Sequence, residues 1–258
     1  MYSMKRNTFD LIIEFVKTSF KMRYQNSVLG FLWVLIKPYT MFLVMFVIFS
    51  HIVRSSVSNY SVYLLTGVIF ITFINELLLL GQSALLDRAS IILKVNFDRQ
   101  IAIVSALIGS IINLVINLVL IYIIAFFTHV PITFVGFLML ILVISILFIW
   151  GWAIALFTSI LTVRFRDLKN IMELLMFILQ YTTPIFYSLD DDFLPDKVAD
   201  LIRLNPLTFL MNQMRASIGV YGSINLFLLL IFFLAGIFTL FLGWQYFSVN
   251  VKKTAEYI

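Results

Sequence analysis

Long apolar blocks separated by short charged stretches run through this chain. Lys37 and Arg54 enclose 16 uncharged residues, Arg54 and Glu76 enclose 21, and Glu173 and Asp190 enclose 16. From Gln100 to Val163 there are 64 residues without a formal charge, with His129 neutral at pH 7, and Arg215 and Lys252 enclose 36. A helix crossing about 30 Å of hydrocarbon at about 1.5 Å per residue needs roughly 20 apolar residues. The longest block is therefore two spans, divided at Thr128-His129-Val130-Pro131, where proline cannot continue a helix. The pattern predicts six spans, at about 31–53, 60–82, 101–127, 133–162, 171–189 and 224–248. Runs such as Leu77-Leu78-Leu79-Leu80 do not alternate as the strands of a membrane barrel do. The expected fold is an all-α integral membrane protein forming one domain over 1–258.

The first apolar recurrence is not a span. In 8–28, Phe9, Ile12, Ile13, Val16, Phe20 and Tyr24 repeat at helical spacing, and Asp10, Glu14, Lys17 and Lys21 take the opposite face. Glu14 and Lys17 pair at i,i+3, and Thr8 suits an N-cap. Such a helix lies in the cytoplasmic headgroup layer, with its lysines near anionic membrane lipid. It serves either as an anchor or as a lever at a pore mouth.

Composition agrees: 62% of the 258 residues are hydrophobic and only 12% charged, against about 25% charged in a soluble domain. Cysteine is absent, so disulfides play no part. The charge is informative by its placement. The stretches at 1–37, 87–100, 163–170 and the C-terminal tail hold 14 of the 18 Lys and Arg residues, and the opposite side holds Arg54, Lys197, Arg203 and Arg215. The positive-inside rule then puts both termini in the cytoplasm. A cleavable signal peptide is not expected, because the first apolar run starts near residue 29 and no small-residue cleavage site follows it. The net charge of +5 is a topology signal, and its scatter over four loops argues against nucleic acid.

Catalytic and metal chemistry have little to stand on. His51 and His129 lack paired ligand spacing, and no glycine is followed by lysine, so the common phosphate-binding loop is missing. A proton-coupled transporter should carry ionisable groups within its spans. Glu76 alone qualifies, either snorkelling or paired with a neighbouring helix, or acting in gating or dimer contacts; Glu173 sits at an interface. Ser110, Asn113 and Asn117 make a polar stripe on span three, and Ser105 and Gly109 a small-xxx-small pair, suited to close helix packing or to a pore wall. If a substrate moves uphill, its energy comes from another subunit.

The outer segment 190–223 is too apolar for a solvated loop and too broken by Pro195 and Pro206 for a span. Two short re-entrant or interfacial helices fit it, with an ordinary packed loop as the alternative. Pro184, inside span five, should kink that helix.

Three patterns resemble one family. Arg23-Tyr24-x-x-Ser27-x-Leu29-Gly30-x-x-Trp33-x-x-x-x-Pro38 precedes and opens span one. Arg164-Phe165-Arg166-Asp167-Leu168 follows span four. Thr183-Pro184-Ile185-Phe186-Tyr187, Leu194-Pro195 and Asn205-Pro206 mark the outer side. Together, and in this order over nearly the whole chain, they resemble the membrane (permease) subunits of type-2 ABC exporters for O-antigen, teichoic acid and other cell-surface polysaccharides. One departure is Asp98, which stands where the family's coupling segment 91–99 often has proline after the phenylalanine.

The resemblance implies a bacterial cytoplasmic-membrane protein that is no enzyme by itself. A homodimer would enclose a path for a lipid-linked glycan, and two copies of a cytoplasmic ATPase subunit would bind ATP and Mg beneath it. Lys94, Asn96, Phe97, Arg99, Arg164, Arg166 and Asp167 would couple to that ATPase. Arg23, Tyr24, Trp33 and Pro38 would form the cytoplasmic gate, and Pro184, Tyr187, Pro195, Asn205 and Pro206 the outer one. Phe42, Phe46, Phe49, Phe177 and Tyr181 would offer rings to sugar C–H faces, or would simply pack helices. Other readings are a same-fold ABC permease for a drug, peptide or simple lipid, a secondary transporter, and a membrane-embedded transferase.

Overall fold

The computed structural model describes residues 4–24, 27–52, 57–95, 97–189, 195–251 and 254. These residues form ten α-helices and a 3-10 turn: α1 (Met4–Tyr24), the turn Gly30–Leu32, α2 (Trp33–Ile52), α3 (Tyr60–Ser83), α4 (Ala89–Ile92), α5 (Gln100–Phe127), α6 (Phe134–Arg164), α7 (Leu168–Thr182), α8 (Asp196–Arg203), α9 (Pro206–Ile218) and α10 (Leu226–Asn250). Among the described residues, five helices are long and apolar enough to cross a membrane: α2 with its 3-10 lead, α3, α5, α6 and α10.

α3 is the central post, packed against α2, α5, α6, α7 and α9. Buried residues make up 72% of its apolar window, against 17% for α2 and for α10, which lies along α6. Caps set the helix starts as sequence chemistry requires. The Thr133 hydroxyl accepts from Gly136 N (3.0 Å), and Asn225 Oδ1 accepts from Leu228 N (3.1 Å).

The fifth expected span is corrected. The helix there, α7, has 15 residues and stops at Thr182, with Thr183 extended at φ −107°, ψ 131°. At about 1.5 Å per residue it is about 22 Å long, short of a full crossing. The reason is Pro184, which disfavours helical backbone at the residue before it. Pro184 thus lies beyond the helix and does not kink it. It is buried at the start of a non-helical stretch.

α1 also starts earlier than expected and ends earlier. It begins at Met4 and ends at Tyr24, so Thr8 is inside the helix and not its N-cap. Its polar face is as read, with Lys17 Nζ 3.0 Å from Glu14 Oε1. The apolar face packs on α5. Phe15 is buried, and Phe20 faces Gly109, where an added Cβ would sit 3.9 Å from its ring. The small-residue face of α5 therefore receives the amphipathic helix.

Candidate functional site

Beside the start of α3, one side chain organises the break after α7. Arg215 on α9 is completely buried. Its guanidinium donates to the carbonyls of Pro184 (3.0 Å), Ile185 (3.0 Å) and Tyr63 (3.3 Å) and to Asn212 Oδ1 (3.4 Å), and its central carbon lies 3.4 Å from the Tyr63 ring centroid. The next two carbonyls are held from α3: Tyr60 donates its hydroxyl to Phe186 O (2.6 Å) and Tyr63 to Tyr187 O (2.9 Å). Four successive carbonyls of the Pro-Ile-Phe-Tyr run are thus satisfied by side chains, the condition for non-helical backbone at membrane depth. α3 makes room by having Gly67: a Cβ there would meet Arg215 Nη2 at 2.7 Å.

The Asn-Pro pair joins the same construction. Asn205 Oδ1 accepts from Leu207 N (3.0 Å) to cap α9, and Pro206 occupies the first turn, where its missing N–H costs nothing. The Asn205 amide reaches Thr182 O and Thr183 Oγ1, both at 3.4 Å. Pro195 and Pro206 are exposed, and Tyr187 is half-buried. Leu194 and the acids Asp190, Asp191 and Asp192 lie outside the described residues. Arg215, counted by sequence as a basic residue of the outer loops, is in fact the buried centre of this cluster. The available signal was its isolation between Met214 and Ile218 in an apolar stretch.

The other end of α3, where Glu76 lies, has the opposite character. Ser27 Oγ accepts from both Trp33 Nε1 (3.2 Å) and Gly30 N (3.2 Å), and Gly30 takes φ +49°, which glycine tolerates. The Ser-x-Leu-Gly-x-x-Trp spacing is thereby a knot that swings the chain from α1 into α2. Arg23, Ser27, Trp33, Lys37, Pro38 and Glu76 line a cavity of about 470 Å³ beside it. A small hollow next to it brings in the stripe of α5, with Asn113 Nδ2 donating to Glu76 Oε2 (2.8 Å) and Asn117 donating to Asn113 O (2.8 Å). The Tyr24 side chain lies outside the described residues.

Arg23 also lines a second cavity, of about 220 Å³, between α1, α3 and α5, together with Ser19, Asp87, Arg88 and Ser105. Arg88 is 7% exposed. It donates to Ser19 Oγ (2.7 Å) and lies over Phe15, 5.3 Å from the ring centroid. Burial pushes its guanidinium below the ordinary arginine range, Asp87 opposes that shift, and Arg23 adds to it.

Of the expected coupling residues, Lys94 is exposed and Phe97 packs edge-on against Phe15 at 5.3 Å. Arg99 donates to Val251 O and to Thr254 Oγ1, tying the segment to the end of α10. Asn96 lies outside the described residues. Asp98 accepts from Gln100 N (3.0 Å), so the residue found in place of proline starts α5 with a side-chain acceptor. Arg164, Arg166 and Asp167 are exposed, with the Arg164 guanidinium over Phe165 at 5.3 Å. Among the described residues, no ion pair joins Arg166 to Asp167, so this loop is not stapled internally.

The expected conduit rings divide into two sets. Phe42 is 7% exposed and packs on Tyr39 and Phe46. Phe46 stacks on Tyr60 (6.2 Å) and Phe49 on Phe186 (5.4 Å). Phe42 is covered within the chain. Phe177 and Tyr181, 5.2 Å apart on α7, are 59% and 54% exposed.

Comparison with known proteins bears on the whole arrangement. The family described as ABC-2 type transporter matches residues 11–219. An O-antigen export system permease protein, RfbA, of Klebsiella pneumoniae is 26% identical over 250 residues, covering 96% of this chain and 95% of its own length. A protein of the same name from Myxococcus xanthus is 27% identical over 209 residues, covering 80% of this chain and 79% of its own. The chain belongs to the ABC-2 type transporter membrane family.

Proposed function

We infer that the chain is the transmembrane subunit of an ATP-driven exporter that carries a lipid-linked polysaccharide of the O-antigen type across a bacterial cytoplasmic membrane. The observation that carries this is the end-to-end similarity, over 96% of the chain, to a protein named as an O-antigen export permease. Nucleotide and magnesium belong to a partner ATPase, docked where Lys94, Arg164, Arg166 and Asp167 are exposed.

The sixth crossing expected from charge placement is completed by α7 together with the non-helical run after it. α7 supplies about 22 Å, and the non-helical residues 183–187 carry the chain on toward the far interface. Support comes from where that run ends: the carbonyls of Phe186 and Tyr187 are bound by Tyr60 and Tyr63, at the start of α3. Six crossings keep both termini cytoplasmic, and α8 and α9 lie at the outer face.

Two copies form the conduit. One chain leaves Leu43, Val44, Val47 and Ile48 of α2 and Phe177 and Tyr181 of α7 exposed, and two-fold pairing is the commonest way to close such a surface. The exposed rings give a passing glycan weak, repeated contacts. The test is co-purification with the ATPase subunit. Arg166→Ala with Asp167→Ala should lower complex yield and ATPase stimulation while the chain itself stays folded. Unchanged yield and stimulation would remove this docking role.

A further inference from the structure

On α5, Ser110, Asn113 and Asn117 share one face at i, i+3 and i+7, and on α3 Thr72 and Glu76 share another at i and i+4. The two faces meet around a hollow of about 20 Å³, closed on one side by Val34 of α2. Ser110, Asn113 and Asn117 are 0%, 3% and 4% exposed. Both asparagine amides have a settled orientation. Asn113 Nδ2 donates to Glu76 Oε2 (2.8 Å) and Asn117 Nδ2 to Asn113 O (2.8 Å), and an ionised carboxylate and a carbonyl can only accept. The Oδ1 atoms of both, and Ser110 Oγ, are buried, and among the described residues no hydrogen-bond partner reaches them. Thr72 Oγ1 gives its proton to Val68 O (2.8 Å), which leaves it an acceptor as well. The hollow is therefore lined by oxygens rich in lone pairs and short of protons, with one carboxylate among them, and buried acceptors without a partner are costly. Arg23 and Lys37 line the adjacent, larger cavity. Both are exposed, and among the described residues neither lies within ion-pair distance of Glu76.

We propose that this hollow binds a sodium ion, which ties α3 to α5 through oxygens of Glu76, Ser110, Asn113 and Asn117. Hard cations take oxygen ligands, and carboxylate, amide carbonyl and hydroxyl all serve. One carboxylate balances one positive charge. A monovalent ion thus leaves the site neutral, whereas a divalent ion would leave net charge buried between helices. The volume admits about one water-sized guest, so the ion sheds its hydration shell and takes side-chain oxygens in its place. A water molecule has the right size, but it brings only two protons and leaves the carboxylate's charge where it was. The site needs nothing from the exporter reading, because both helices and all its ligands belong to this chain.

The test uses the full chain in nanodiscs of zwitterionic lipid at one pH and one ionic strength, with choline chloride exchanged stepwise for sodium chloride. The unfolding temperature should rise with sodium and saturate. Potassium, a larger ion, should act only at higher concentration. Glu76→Gln keeps an oxygen for the Asn113 amide and removes the charge, so it should raise the half-saturating sodium concentration about tenfold or more. Asn117→Leu removes one neutral ligand and should raise it less. Lys17→Gln, on the exposed face of α1, should respond as the native chain does. Direct binding decides the matter where a variant fails to fold. Radioactive sodium should bind the native chain saturably, one ion per chain, and unlabelled sodium but not choline should displace it. The site is overturned if the native chain binds no sodium saturably, which would leave an ordered water only. It is equally overturned if native unfolding is the same in sodium and choline, or if a folded Glu76→Gln chain binds sodium as tightly as the native one.

Discussion

Beside the start of α3, the Arg215 guanidinium donates to three main-chain carbonyls and one side-chain oxygen and rests on a ring. At the other end of α3, Arg23 and Lys37 line a cavity of about 470 Å³ together with Glu76, and no ion pair within bonding distance joins them among the described residues. Both regions are cationic and both lie at a break between helices. They differ in whether the donors are already used. A fully used guanidinium is a structural rivet: removing it strands buried carbonyls, whose desolvation is then uncompensated. Exposed cations beside an open cavity contribute little to stability. The Arg215 cluster holds the chain's geometry, and Arg23 and Lys37 are not needed for it.

The largest effect that would break this contrast belongs to Arg215→Met. It leaves the carbonyls of Pro184, Ile185 and Tyr63 without their donor, so the chain should lose about 3 to 5 kcal/mol or fail to fold. Thermal unfolding in detergent and the yield of monodisperse protein measure this, and native-like stability would mean that Arg215 is no rivet. Gly67→Ala should come next, at about 1 to 3 kcal/mol, because the new methyl group displaces Arg215 Nη2 from 2.7 Å. Asn205→Ala removes the α9 cap and its reach to Thr183, for about 1 kcal/mol. Arg23→Gln should be smallest, within about 0.5 kcal/mol of the native chain. If Arg23→Gln unfolded the protein as readily as Arg215→Met, the two ends would not differ in kind.

Five of the long helices were legible from the lengths of uncharged stretches, because burying backbone in lipid leaves few other options. The helix of the fifth expected span was drawn too long because the gap from Glu173 to Asp190 measures only charge. Pro184 sits inside that gap and ends the helix two residues earlier. Arg215 was misplaced for a related reason. A charge count assumes that every Arg faces water, and only three-dimensional placement beside the carbonyls after α7 shows otherwise. The Ser27, Gly30 and Trp33 spacing was visible as a pattern, but its cause, one hydroxyl accepting twice, needed the fold. Ring spacing on α2 fitted packing and pore lining equally. Phe46 stacks on Tyr60 and Phe49 on Phe186, whereas the pair on α7 is exposed.

Transport itself is the most direct test of the exporter reading. The chain and its ATPase partner are reconstituted into vesicles with a defined lipid-linked polysaccharide in the outer leaflet, ATP is supplied outside, and accessibility of the glycan to an external glycosidase is followed. The glycan should become protected only when ATP and both subunits are present, and the chain alone should hydrolyse no ATP. ATP hydrolysis by the complex with the glycan left fully accessible, together with movement of a drug, peptide or simple lipid under the same conditions, would contradict it.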